Sequence, residues 1–327
     1  MTKKDFPTIH FYDQDFVDLY DQTWAMLQDF WQKGTTENGF QKQFFNYAQN
    51  RTINQFESIM STFFLVYSNR NYPAAPQLDN FYERQEPSGA IRGDYAVADG
   101  APHFSRDNPE GLNPPLFAWA EYNMYHKIGN KKRIKEVMPV LEKYFSWIET
   151  RFRRGNGLYE VPTAATKMDN APRKGAVYLV DFNSQMALNA LYMSELGDIL
   201  NDKEVSFKYK KHYFSLKTRI NSLMWSDEDG LYFDLDKEQR QLRVKTIASF
   251  WPLLAELPNE AKADRLQQHL KNPDTFGTEH PFPTLAADEP GFEKTGMGFR
   301  GSVYPPFVFM VIKGLEKYGA FDLARSS

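Results

Sequence analysis

The stretch KKRIKEVMPVLEKYFSWIETRFR, residues 131–153, decides the fold class. Val137, Leu141, Tyr144, Phe145, Ile148 and Phe152 recur at steps of three and four, which lays them along one apolar stripe of an α-helix. Gly129-Asn130 ends the helix before it. The same period continues outward on both sides, predicting helices over 15–32, 54–70, 74–84 and 114–127, then over 183–200, 203–225, 246–257, 259–271 and 303–318. Gly34, Gly129 and Gly319 are the expected C-terminal stops. No segment sustains a period of two.

About ten helices are thus joined alternately by short turns and by long segments, 86–113, 154–182, 227–245 and 272–302, which hold most of the Gly and Pro. That rhythm fits an all-α toroid of helical hairpins, with short turns at one rim and a pocket among the long loops of the other. Asp229-Gly230 reads as a turn with a short hairpin around it. No linker interrupts the pattern, so residues 1–327 are expected to form a single domain.

Composition removes several classes of function. With 42 acidic residues against 39 Lys and Arg, nothing favours a nucleic acid or other polyanion as partner. No apolar run reaches about 18 residues, and the opening MTKKDFP lacks the apolar core of an export signal, so no membrane role is expected. An export signal could have been cut away, which leaves the compartment open. The absence of Cys excludes disulfides and thiolate metal sites, and six scattered His offer no H-x-x-x-H spacing. No metal or cofactor is assigned. Twenty-seven Phe, 18 Tyr and six Trp in a chain of mean hydropathy −0.60 either fill gaps between helices or line a groove for a flat ligand such as a sugar. The first use accounts for most of them.

One segment invites a chemical reading. KMDNAPR, residues 167–173, followed by VDFNSQMALNALY, residues 180–192, sets a carboxylate on a Pro- and Asn-rich loop before a patterned helix. Loops on rigid supports carry chemistry. Asp-Asn-Ala-Pro is equally ordinary turn chemistry, and composition alone favours the turn.

Context shifts that balance. INQFES (53–58), LDNFYERQ (78–85), NPPLFAWA (113–120), KMDNAPR, VDFNSQMALNA (180–190), WSDEDGLYFD (225–234), KTIASFWPLLA (245–255) and FRGSVYPP (299–306) occur in order. Together they resemble the catalytic domain of glycoside hydrolase family sixty-three, notably its mannosylglycerate hydrolase-like and bacterial α-glucosidase members, with trehalases as relatives. The resemblance runs from about Thr52 to the end. It implies an (α/α)6 barrel that hydrolyses α-linked glucosides or mannosides with inversion, using two carboxyl groups roughly 6.5–9.5 Å apart.

By the resemblance Asp169 is the general acid, which requires burial or neighbouring negative charge to keep it protonated. Arg173 would oppose that at close range, so it is expected to point elsewhere or to bind substrate. The implied pocket comprises Asn54, Gln55, Glu57, Asp79, Trp119, Arg173, Asp181, Gln185, Trp251 and Arg300. Several positions depart from the family: Phe56-Glu57 replaces a Trp-Asp pair, Gly93-Asp94 stands near a usual Arg-Glu pair, and Phe299 and Tyr304 replace Trp. That drift suggests an altered substrate or a failing enzyme.

The family's barrels also continue past a block like VIKGLEKYG, 311–319, with another helix pair and the general-base Glu. The barrel is therefore expected to be a helix pair short, its usual base absent and its open seam a surface for self-association. Glu279, His280 and Asp181 are substitute bases, although a helix-start role for Asp181 and solvated loop roles for the other two are the plainer readings. The leading expectation is an inverting hydrolase acting on an oligosaccharide or glycoside. A non-catalytic carbohydrate-binding relative that has lost the base comes second, and an (α/α)6 sugar epimerase, disfavoured by the few His, third.

Overall fold

The computed structural model describes residues 7–47, 50–68 and 70–326. They form two compact units, one of residues 1–113 and 117–147, the other of residues 114–116 and 148–327. The division falls inside one long helix, which is why no linker betrays it in the sequence.

The first unit contains α1 (Gln14–Leu27), α2 (Gln55–Leu65), α3 (Ala75–Tyr82), α4 (Phe117–Ile128) and most of α5 (Lys131–Phe152). Asp13 starts α1 by accepting the Asp15 N–H at 3.0 Å. Asn54 does the same for α2, its Oδ1 accepting the Phe56 and Glu57 N–H groups at 3.0 and 3.3 Å. Thr52–Asn54 pairs antiparallel with Asp94–Ala96, so the α2 N-terminus is fixed by backbone and cap together. Helix α2 packs on α3 and α4, burying Ile59, Leu65, Leu78, Phe81 and Phe117.

The second unit holds the end of α5, then α6 (Val180–Leu200), α7 (Lys203–Leu223), α8 (Trp251–Leu254), α9 (Glu260–Lys271), α10 (Pro305–Lys317) and α11 (Phe321–Ser326). Helix α6 is buried on nearly all sides from Val180 to Gly197, the mark of a central helix. Asn201 in the left-handed conformation ends it, and Asp202 caps α7 through the Val205 N–H at 3.0 Å. The α6–α7 pair is the most extensive helix packing among the described residues.

Each of the ten expected segments contains helix. Several are shorter than the pattern predicts, three of them for a visible reason. The first stops at Leu27 because Trp31–Gln32 pairs antiparallel with Phe44–Phe45; Gly34 lies beyond that ladder, donating its N–H to the Gln41 carbonyl, and is no helix stop. The seventh ends at Leu223 because Trp225–Ser226 enters the hairpin with Leu231–Tyr232 around Asp229-Gly230, as the turn residues require. The segment 246–257 begins as a 3-10 turn, Ile247–Phe250, and becomes α8 only at Trp251-Pro252, since Pro suits a first turn and lacks the N–H needed further in. Helix α11, after Gly319 at φ +70°, has no counterpart in the predicted set. No helix among the described residues is long and apolar enough to cross a membrane.

The α6–α7 contact depends on Gly197. A Cβ there would lie 2.8 Å from the Ser206 N and 3.1 Å from its Cα, both backbone atoms. Gly197→Ala should therefore destabilise by about 1–3 kcal/mol despite its better helix propensity. Urea unfolding checks this, and a variant of equal or greater stability would show that α7 can retreat without cost.

Candidate functional site

In the second unit the 167–173 loop is built around what it buries. After the 3-10 turn Thr163–Thr166, Lys167 adopts φ +63° and reverses the chain. Met168 then turns fully inward, Asp169 and Asn170 stand exposed, and Arg173 is buried again. The Ala171 N–H bonds the Met168 carbonyl at 3.2 Å and the Arg173 N–H bonds the Ala171 carbonyl at 2.7 Å, which closes the turn behind Asp169.

Arg173 is the anchor. Its Nε donates to Asp234 Oδ2 at 2.6 Å, Nη1 to Asp181 Oδ2 at 2.7 Å and Thr166 Oγ1 at 3.1 Å, and Nη2 to Asp181 Oδ1 and Asp234 Oδ1, both at 2.8 Å. All five guanidinium N–H groups are thus used. Asp181 Oδ1 also accepts the Phe182 N–H and Asp234 Oδ1 the Val180 N–H, so the second negative charge meets the positive end of α6. Asp234 is held in place because Leu235 exchanges backbone hydrogen bonds with Tyr178 and the strand Asp234–Leu235 pairs with Gln241–Leu242. Burial alone would lower the Arg173 pKa, but Asp181 and then Asp234 raise it above its ordinary value.

These bonds change two expectations. Arg173 does point elsewhere than at sugar: with its donors spent and its side chain 1% exposed, it has no capacity for substrate. Asp181, equally buried and bidentate to Arg173, can neither contact a sugar nor serve as a base that activates water. Of the other substitute bases, Glu279 and His280 lie on the loop that the plainer reading assigns them, Glu279 and His280 both exposed.

Asn170 ties this loop to another. Its Oδ1 accepts the Phe299 N–H at 2.7 Å. Beside Phe299, Arg300 pairs with Glu293 at 3.1 Å while its Nε has no protein partner. Further in, Gln185 on α6 is 0% exposed and neither its amide N nor its amide O has a partner; Trp251 at the start of α8 is 1% exposed with its indole N–H unpartnered, and the Ser184 hydroxyl is likewise unpartnered. Such buried groups cost about 1–3 kcal/mol each when unsatisfied.

In the first unit most of the expected pocket residues are structural. Asn54 is spent as the α2 cap and on Asp94, to which its Nδ2 donates at 2.7 Å. Asp79 joins Arg133 at 2.9 Å, beside the fully buried Glu121, which Arg133 grips through Nε and Nη2 at 2.9 and 2.8 Å and to which the Tyr82 hydroxyl donates at 3.0 Å. Burial raises the Glu121 pKa even against Arg133. Trp119 is core, its ring 4.3 Å from that of Phe63. Arg92 is held by Glu86 and Glu110, and Asp94 by Asn54 and Asn113, so the Arg-Gly-Asp sequence is scaffold. Gln55 meets the Tyr144 hydroxyl at 3.3 and 3.4 Å, and Glu57 is half-buried on the first turn of α2. Among the described residues no group of three or more His, Asp or Glu could hold a metal.

Sequence reading missed Asp234 and Asn170. Both lie in blocks singled out for other reasons, and Asp234 carries no signal beyond closing a predicted hairpin.

A family model for the mannosylglycerate hydrolase MGH1-like glycoside hydrolase domain matches residues 9–327. An uncharacterised protein of Borreliella burgdorferi is 48% identical over 328 residues, covering 99% of this chain and 69% of that one. The GH63 mannosylglycerate hydrolase of Thermus thermophilus, solved with glucose, superposes with a TM-score of 0.77 at 18% identity over 93% of this chain and 88% of that one. Neutral trehalase from Saccharomyces cerevisiae gives 0.65 at 15% identity over 85% and 64%. The fold class is therefore the expected (α/α)6 toroid of helical hairpins, with only minor two-stranded ladders.

Removing the anchor should be costly. Arg173→Met leaves two buried carboxylates without their cation and is expected to destabilise by about 3–5 kcal/mol. A urea midpoint equal to that of the unmodified chain would mean the network is relaxed by solvent and does not hold the loop.

Proposed function

We propose that this chain, which belongs to the mannosylglycerate hydrolase MGH1-like glycoside hydrolase family, hydrolyses an α-linked glucoside or mannoside with inversion, Asp169 acting as general acid. The observation that carries the reading is local: an exposed carboxylate stands on a turn whose two flanks, Met168 and Arg173, are buried and locked. A rigid base beneath one exposed acid is what proton delivery to a fixed oxygen requires.

In the reaction the Asp169 carboxyl gives its proton to the glycosidic oxygen as the C1–O bond breaks and its electron pair passes to that oxygen. Water attacks C1 from the opposite face, and a base removes its proton, so the sugar leaves with inverted configuration. Asp169 is exposed in the free chain, so the protonated form must be favoured by the sugar seated over it, which excludes water. The buried amide of Gln185, the Trp251 indole N–H and the Arg300 Nε are the proposed sugar contacts of the second unit.

A second reading has its own support. Asp181 lies nearest in sequence to the acid loop among the substitute bases, and Arg173 has locked it. A chain that binds sugar without cleaving it would follow if no other carboxylate reaches the water.

The names of the similar structures make mannosylglycerate and trehalose the first substrates to try, followed by other α-glucosides and α-mannosides. NMR should find the β-anomer released first. Asp169→Asn should lower turnover of these glycosides by about 10²–10⁴-fold. The same variant should keep most of its activity on α-glucosyl or α-mannosyl fluoride, whose leaving group needs little protonation. Near-normal turnover of glycosides by Asp169→Asn would reject the assignment, and binding without release by the unmodified chain would favour the second reading.

A further inference from the structure

The Asn170 side chain makes a contact that the proposed mechanism does not use. Its Oδ1 accepts the Phe299 backbone N–H at 2.7 Å across 129 residues of sequence, and its amide lies against Gly298. A Cβ on Gly298 would stand 2.3 Å from Asn170 Nδ2 and 2.8 Å from its Cγ, and Gly298 has φ +58°, so glycine is required there twice over. The fit is that of a cradle, since backbone approaches the amide where any side chain would expel it.

The segment held by this contact is internally braced. The Glu293 N–H bonds the Arg300 carbonyl at 2.7 Å, the Glu293 carboxylate pairs with Arg300, the Ser302 hydroxyl donates to the Gly298 carbonyl, and the Thr284 N–H bonds the Ser302 carbonyl at 2.9 Å. Gly296, Gly298 and Gly301 all have positive φ, so the path of the segment favours glycine at three points. The half-buried Phe299 ring meets Tyr304 and Phe307 at 5.7 and 6.1 Å between centroids. Phe299 and Arg300 are thus carried by one loop and Asp169 by another, and Asn170 joins the two one residue from the acid.

We infer that Asn170 is a positioning residue: latched to Gly298-Phe299, it fixes the Asp169 carboxyl relative to the aromatic and cationic groups of the 292–302 loop. The inference rests on Asp169 being the general acid. Asn170 touches no reacting atom; it acts through Asp169 on one side and Phe299 on the other. A misplacement of about 1 Å in such a site lowers turnover by about 100-fold.

The test begins with hydrogen exchange, which needs no substrate. Asn170→Ala should release the Phe299 amide to faster exchange, and Asn170→Asp, which keeps the acceptor oxygen, should restore protection. Unchanged protection in Asn170→Ala would overturn the latch whatever the chain's activity. On α-glucosides and α-mannosides Asn170→Ala should lower kcat by about 10–100-fold with KM changed less than about threefold, while turnover of the glycosyl fluorides changes little. Equal losses on both substrate classes would mean a general structural role and reject positioning of the acid. Gly298→Ala should reproduce the Asn170→Ala pattern, and the double variant should be no worse than either single one. Fully additive losses would overturn the coupling. Asp169→Asn separates the two levels: if it is inactive on glycosides while Asn170→Ala is normal, only the latch fails, and if it is active, the acid assignment fails.

Discussion

Everything around the acid loop depends on one cation buried between two carboxylates. Arg173 joins three stretches: the loop itself, the first turn of α6 through Asp181 eight residues on, and the strand after the Asp229-Gly230 turn through Asp234, 61 residues away. Such a network adds little net stability, because desolvating three charges costs about as much as their attraction returns. What it does supply is direction. The planar guanidinium meets its acceptors in fixed directions, which an apolar side chain of equal volume would not require.

The first unit contains the same physics put to another use. Arg133 sits between Glu121 and Asp79 much as Arg173 sits between its two aspartates, and burial raises the Glu121 pKa against the pull of that cation. There the charges bind helix to helix, α3 to α4 and α5. The comparison separates two kinds of buried ion network by what lies next to them: the Arg133 cluster is a strut, whereas the Arg173 cluster supports a turn that presents a carboxylate outward. Shifted titration alone would not tell them apart, since the pKa values of Arg133 and Arg173 are both raised by the carboxylates around them.

Helices are legible because their signal is local and repeated. The stripe in α5 survives any tertiary context, and the ten segments follow from the same period. Boundaries fail where a long-range partner decides them, as when Phe44–Phe45 draws Trp31–Gln32 out of the first helix. The candidate site is legible only in part for the same reason. Polar residues near a suspected acid look alike in one dimension, and nothing in a list of Asn, Asp, Arg and Trp tells a cap, a strut or a core ring from a ligand contact. Asn54, Asp79, Trp119, Arg173 and Asp181 are each absorbed by a partner 8 to 54 residues away or by the core around them. Asp234 is invisible because its role exists only after a hairpin has carried it back to Tyr178.

The residues that are not absorbed are the more informative set. Gln185 lies in the thoroughly buried α6 with both ends of its amide unpartnered, and Trp251 in the neighbouring α8 has an indole N–H in the same condition. Leu or Met at position 185 would fill the space and avoid a cost of about 1–3 kcal/mol per unsatisfied group. A chain kept only for its fold would gain from that exchange, whereas one that receives a hydroxylated ligand would lose the contacts that offset the ligand's own desolvation. The same reasoning applies to the Arg300 Nε, buried beside a guanidinium edge already committed to Glu293. Unpartnered polar atoms at buried positions are what a chain adapted only for stability would lack.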